Sequence, residues 1–114
     1  MTARAVLGCA TVVLSLALAQ PAAAGGKAEA GKAKAAQTCA ACHGADGAKP
    51  SGPDQPILAG QYYDYLVRAL SDYKNGRRTN PIMKGFAGQL SKQDIEDLAA
   101  WFSSQKQTSL HDQR

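Results

Sequence analysis

Cys39-Ala40-Ala41-Cys42-His43 sets two thiols three residues apart, with an imidazole directly after the second. That spacing is the pattern for covalent haem attachment. Each thiol can form a thioether with one vinyl group on the same porphyrin edge. The histidine that follows then sits beneath the iron as an axial ligand. The competing chemistry is a thioredoxin-like dithiol. That chemistry belongs with a βαβ pattern, which the chain lacks, and it leaves the adjoining histidine without a use.

An iron ligated on one side needs a second strong ligand to act as a low-spin electron carrier, commonly methionine or histidine. The chain has two methionines and two histidines. Met1 starts the chain and His43 is already assigned, so Met83 and His111 remain. Met83 ends the polar stretch Arg77–Met83 and is followed by the loose connector Lys84–Leu90. Its neighbours are Asn80, Pro81, Lys84 and Gly85 rather than a helical stripe, which favours a ligand over a core filler. His111 lies in the polar tail, beyond Leu110, the last apolar residue. Met83 is therefore the preferred ligand, and His111 or an open sixth position are the alternatives. Thioether sulfur favours ferrous iron, so a His/Met pair implies a fairly high reduction potential. An iron-bound histidine also needs its other ring nitrogen oriented by an acceptor. Pro56 has no N–H but keeps a free carbonyl. It opens Pro56-Ile57-Leu58-Ala59-Gly60-Gln61, an extended passage that can loop back around a haem edge. The plain alternative is a loop proline with no such role.

The elements that must hold these residues are helical. Lys27 to about Ala40 is mostly Ala and Lys, both strong helix formers, with only alanines on its apolar face. Gly31 in its middle either admits a close neighbour or simply weakens the helix. His43–Gly47 is turn-like and Lys49–Gln55 is an irregular loop. Gln61–Asn75 carries Tyr62, Tyr65/Leu66, Ala69/Leu70 and Tyr73 at helical spacing, a core stripe that can also pack on a porphyrin, and Gly76 supplies its stop. Ser91 to Asp94 reads as a capping box. Behind it, Ile95, Leu98, Ala99 and Phe102 form the buried stripe of a last helix, with Trp101 beside it. Asp94, Glu96 and Asp97 suit the positive end of that helix. No alternating β pattern exists outside the leader, so the fold class is all-α.

The chain has 114 residues, which favours one domain. Residues 1–24 read as a cleaved secretory signal peptide: Arg4, an uncharged apolar run, then Pro21 and Ala22-Ala23-Ala24 for cleavage before Gly25. A membrane anchor is the weaker reading, because the run is Ala-rich and near the lower limit for spanning. Cleavage removes Cys9, so of three cysteines only the motif pair is left and no disulfide framework is possible. The domain then occupies 25–107 and a polar tail 108–114. The formal charge of +4, to which the leader contributes only Arg4, is compatible with an acidic partner surface and too small to argue for nucleic acid. A domain this small has a small core, and a buried porphyrin would supply much of the missing apolar interior.

Taken together, these features resemble the class I cytochromes c, in particular the small bacterial periplasmic c-553 / c-four subgroup. The resemblance rests on Cys39–Gly44, Pro56–Gln61, Tyr65-Leu66 through Gly76 and Arg78, Met83, and Leu90-Ser91 through Trp101-Phe102. It implies three to four helices around one covalently bound haem c, with thioethers at Cys39 and Cys42. It further implies His43 proximal, Met83 distal, and the Pro56 carbonyl orienting the histidine. It implies that Gly31 on the first helix meets Trp101 on the last, and that Arg78 lies near a propionate, Arg77 being a less secure match. Ala35 departs from the pattern, since many relatives carry an aromatic there. One attachment motif implies one haem, where di-haem relatives carry two.

The expected function is a periplasmic electron carrier, not an enzyme, shuttling single electrons between redox partners. An oxidase or reductase on one side and a quinol-oxidising complex on the other are the classes of partner expected. The protein is expected to be a monomer without a stable membrane anchor or nucleic-acid partner. Lys49, Lys84, Lys32 and Lys34 are candidates for steering an acidic partner. The alternatives are a haem c subunit of a larger oxidoreductase and, ranked lower, a haem protein reacting with peroxide or another small ligand. The lower-ranked reading needs an open or labile sixth position and distal acid–base groups, and no histidine lies near Met83.

Overall fold

The computed structural model describes residues 25–107 and is all-helical over that range, with no strand among the described residues. The proposed leader, the tail 108–114 and His111 lie outside the described residues. Five helices follow one another: α1 (Ala28–Thr38), α2 (Ala40–His43), α3 (Tyr63–Asn75), α4 (Pro81–Gly88) and α5 (Lys92–Ser103). The first expected helix, Lys27 to about Ala40, ends at Thr38, and a further short helix that was not expected follows it. Cys39 ends α1 and caps α2, so the attachment motif forms its own turn.

α1 crosses α5, and Gly31 is the reason they come so close. A Cβ at Gly31 would overlap the Asp97 carbonyl and press on the Trp101 Cβ. The small-residue face of α1 thus finds its bulky neighbour, and Ala35 is completely buried against Leu98, Ala99 and the rest of the core. An aromatic is not needed at Ala35 for the terminal helices to pack.

Asp97 departs from its expected role. Instead of serving the end of its own helix, it is buried and accepts the Lys27 N–H at 2.7 Å. Lys27 begins α1 and has no side-chain cap of its own. A carboxylate there also faces the positive end of α1. Gln93 donates to the same oxygen at 2.8 Å.

α5 begins on the expected capping box. The Asp94 N–H donates to Ser91 Oγ at 3.0 Å, and the Ser91 N–H donates to Asp94 Oδ2 at 2.9 Å. These bonds, the Ser91 N–H first and Lys34 after it, hold the Asp94 carboxyl below its ordinary range. Ile95, Leu98, Ala99 and Phe102 are buried as the stripe requires.

α3 starts at Tyr63, so Tyr62 sits outside the helix and is 82% exposed. Only Leu66 of its stripe is buried in protein; it, Tyr65, Ala69, Leu70 and Tyr73 line a cavity. Gly76, at φ 78°, ends α3 in the left-handed conformation that favours glycine.

The stretch expected to be a loop and a loose connector contains α4. Asn80 is its N-cap, accepting from the N–H groups of Ile82 (3.0 Å) and Met83 (3.1 Å). Pro81 takes the first helical position, where a missing N–H costs nothing. Gly85 and Gly88 had argued for irregular chain, but an N-cap followed by proline is a start signal that outweighs them.

Candidate haem site

Positions i, i+3 and i+4 of a helical turn share one face. Cys39, Cys42 and His43 occupy those positions, with the N–H groups of Cys42 and His43 both directed to the Cys39 carbonyl at 3.2 and 3.0 Å. All three side chains line one cavity of about 360 Å³ between α2, α3, α4 and α5. The thiols are free. Burial pushes the Cys39 thiol up to about 11, so near neutral pH it is protonated, unlike the low-pKa thiolate of a dithiol oxidoreductase.

The His43 side chain is buried. Its Nδ1 lies 2.9 Å from the Pro56 carbonyl oxygen. A carbonyl only accepts, so Nδ1–H is the donor and the neutral ring keeps its lone pair on Nε2. Among the described residues Nε2 has no hydrogen-bond partner, an orphaned polar atom on a buried side chain that lines a largely apolar space.

The loops around His43 are tied by backbone bonds. Leu58 N–H donates to Gly47 O at 2.8 Å, Ser51 N–H to Cys42 O at 2.9 Å, and Gly60 N–H to Phe102 O at 2.9 Å. The Trp101 indole donates to Ala45 O at 3.0 Å. That bond links the α1–α5 crossing to the turn after the motif, and the sequence carried no sign of it beyond an aromatic beside the buried stripe.

Met83 lines the same cavity and lies in the first turn of α4 rather than in a loop. Leu66, Leu70, Leu98 and Phe102 supply apolar walls of that cavity. Arg78 also reaches the cavity, with its guanidinium 4.7 Å from the centre of the Tyr73 ring. Arg77 turns away to pair with Asp72 at 2.7 Å. Of the candidate steering lysines, Lys49 and Lys84 are exposed. Lys34 is paired with Asp94 at 3.1 Å and Lys32 lies over the Trp101 ring.

These residues fit a covalently held haem: two free thiols at thioether spacing, an oriented imidazole with a free nitrogen, a thioether lining the same cavity, and apolar walls. Among the described residues no three His, Cys, Asp or Glu side chains cluster as a cage for a bare metal ion. No helix among them is long and apolar enough to cross a membrane.

The family model for cytochrome c matches residues 28–106. Cytochrome c4 of Pseudomonas aeruginosa is 50% identical over 96 residues, covering 84% of this chain and 47% of that protein. Cytochrome c-554(548) of Halomonas halodenitrificans is 42% identical over 72 residues, covering 60% of this chain and 86% of that one. The crystal structure of reduced recombinant cytochrome c4 from Pseudomonas stutzeri superposes with a TM-score of 0.66 at 44% identity, over 73% of this chain and 47% of that one. The chain spans about half the length of the cytochrome c4 relatives that it matches. On sequence and on fold alike, the chain belongs to the cytochrome c family, with the class I architecture.

Proposed function

We propose that this protein is a periplasmic electron carrier with one haem c, attached through Cys39 and Cys42 and ligated axially by His43 and Met83. The observation that carries the reading is that both motif cysteines, His43 with its Nε2 free, and Met83 line one largely apolar cavity. Iron held there supplies one-electron exchange and no bond-making chemistry. The chain's own contribution is rigidity and dryness. Pro56 holds the imidazole in one orientation and keeps its proton on Nδ1. Leu98, Phe102 and Leu66 keep water from the space between the ligands. Arg78 is the candidate partner for a propionate. Residues 1–24 act as the export signal, 25–107 as the cytochrome domain and 108–114 as a tail. Reduced donors and oxidised acceptors are redox proteins, reached where Lys49 and Lys84 are exposed.

A thioether bound to ferric iron gives a weak near-infrared charge-transfer band. The oxidised protein is expected to show it, and Met83→Ala to lose it. Persistence of the band in that variant excludes Met83. Haem and protein quantified on one sample are expected to give one haem per chain.

A second reading, a haem subunit working inside a larger oxidoreductase, is favoured by the exposed apolar residues Ile82 (67% exposed), Tyr65 (49%) and Phe86 (43%) lining the same cavity. Sedimentation of the protein from its native source separates the two: a species of single-chain mass supports the carrier, and a large stable complex supports the subunit.

A further inference from the structure

α4 carries Met83, yet little in its own composition or packing makes it a firm support. It has eight residues, two of them glycine, and only Ala87 is buried in protein. A helix that short is marginal by itself. Its N-terminal end is held by Asn80. Its C-terminal end is held from another helix. Lys74, in the last turn of α3, donates to Gly88 O at 3.1 Å and to Leu90 O at 2.7 Å. The last carbonyls of a helix have no partners within it and carry its negative end. Gly88 O is such a carbonyl, and Leu90 O lies just past the C-cap Gln89, so an ammonium bonded to both is a charge-assisted clamp on the end of α4 and the chain leaving it. The same lysine ties α4 to α3, the helix whose Leu70 and Tyr73 form another wall of the cavity.

We propose that Lys74 is a positioning residue for Met83: by fixing the far end of α4 to α3, it sets how firmly the thioether is held toward the iron. This rests on the reading of Met83 as the second ligand. Lys74 touches neither Met83 nor the cavity, so it acts only through the helix.

The test uses the oxidised holoprotein and imidazole, which takes the sixth position only when Met83 leaves it. Lys74→Met keeps the stem and removes the ammonium. It is expected to raise apparent imidazole affinity by about three- to tenfold and to weaken the near-infrared band, with Lys74→Arg restoring most of both. Ser91→Ala removes the α5 cap and serves as a control that destabilises the domain elsewhere. It is expected to leave imidazole affinity unchanged. The proposal is overturned if Lys74→Met binds imidazole as the parent does, or if Ser91→Ala raises affinity equally, since either removes any special link to α4. A parent protein whose band survives Met83→Ala overturns the ligand reading and this proposal together. A band lost in Met83→Ala but indifferent to Lys74→Met overturns this proposal alone.

Discussion

The two walls of the cavity are built on different terms. The His43 wall is a turn between α1 and α3 pinned by backbone bonds, by the Trp101 indole and by the close α1–α5 crossing at Gly31. The Met83 wall is a short helix with two glycines and one residue buried in protein, held at its ends by Asn80 and Lys74. One wall depends on packing and backbone, while the other buries less and adds two replaceable side chains to its packing on α3. Under the ligation proposed above, unequal support of this kind makes Met83 the side on which ligand strength can be adjusted, while His43 stays fixed.

The largest perturbation should erase the difference. Leu98 is completely buried and borders both the core and the cavity. Leu98→Ala is expected to cost about 2–5 kcal/mol, read as a lower denaturant midpoint, with both ligands affected.

The next pair should separate the walls. Asp97→Ala leaves the Lys27 N–H and Gln93 amide without their acceptor, at roughly 1–3 kcal/mol. It is expected to lower global stability without selectively weakening the near-infrared band. Asn80→Ala removes the α4 cap and costs about 0.5–2 kcal/mol, with the loss concentrated in the band and in α4 amide protection. Equal effects of the two variants on the band would mean the walls are not independent.

The legible parts of the molecule were those written in local pattern. The α5 capping box and stripe, the Gly76 stop and the three-residue spacing of Cys39 and Cys42 with His43 directly after are all short-range; that the three share a helical face was seen only in the structure. α4 was missed because Gly85 and Gly88 were weighed above Asn80-Pro81. Asp97 and Lys74 were not legible as clamps at all. Each serves a helix distant in sequence, and such a role exists only once the helices have crossed. The α3 tyrosines were legible as a stripe, but which side faced protein and which faced the cavity depended on a start two residues later than periodicity suggested.

The smallest effect concerns the frame alone. The Asp94 carboxyl is held low chiefly by the Ser91 N–H, then by Lys34. Its folded value lies below its unfolded one, so its contribution is complete above the ordinary carboxylate range and is lost as pH falls below about 4. Partial exposure keeps this well under ~1 kcal/mol. Asp94→Asn is expected to flatten that part of the stability–pH curve, with the near-infrared band unchanged at neutral pH.

The central claim is that His43 and Met83 ligate one iron across this cavity. A proton NMR spectrum of the reduced holoprotein tests it directly, because a methionine methyl bound under a porphyrin ring is shifted far upfield. Met1 and Met83 are the chain's two methionines. The account predicts a single upfield three-proton signal that disappears in Met83→Ala. No such signal in the parent, or its survival in the variant, would contradict it.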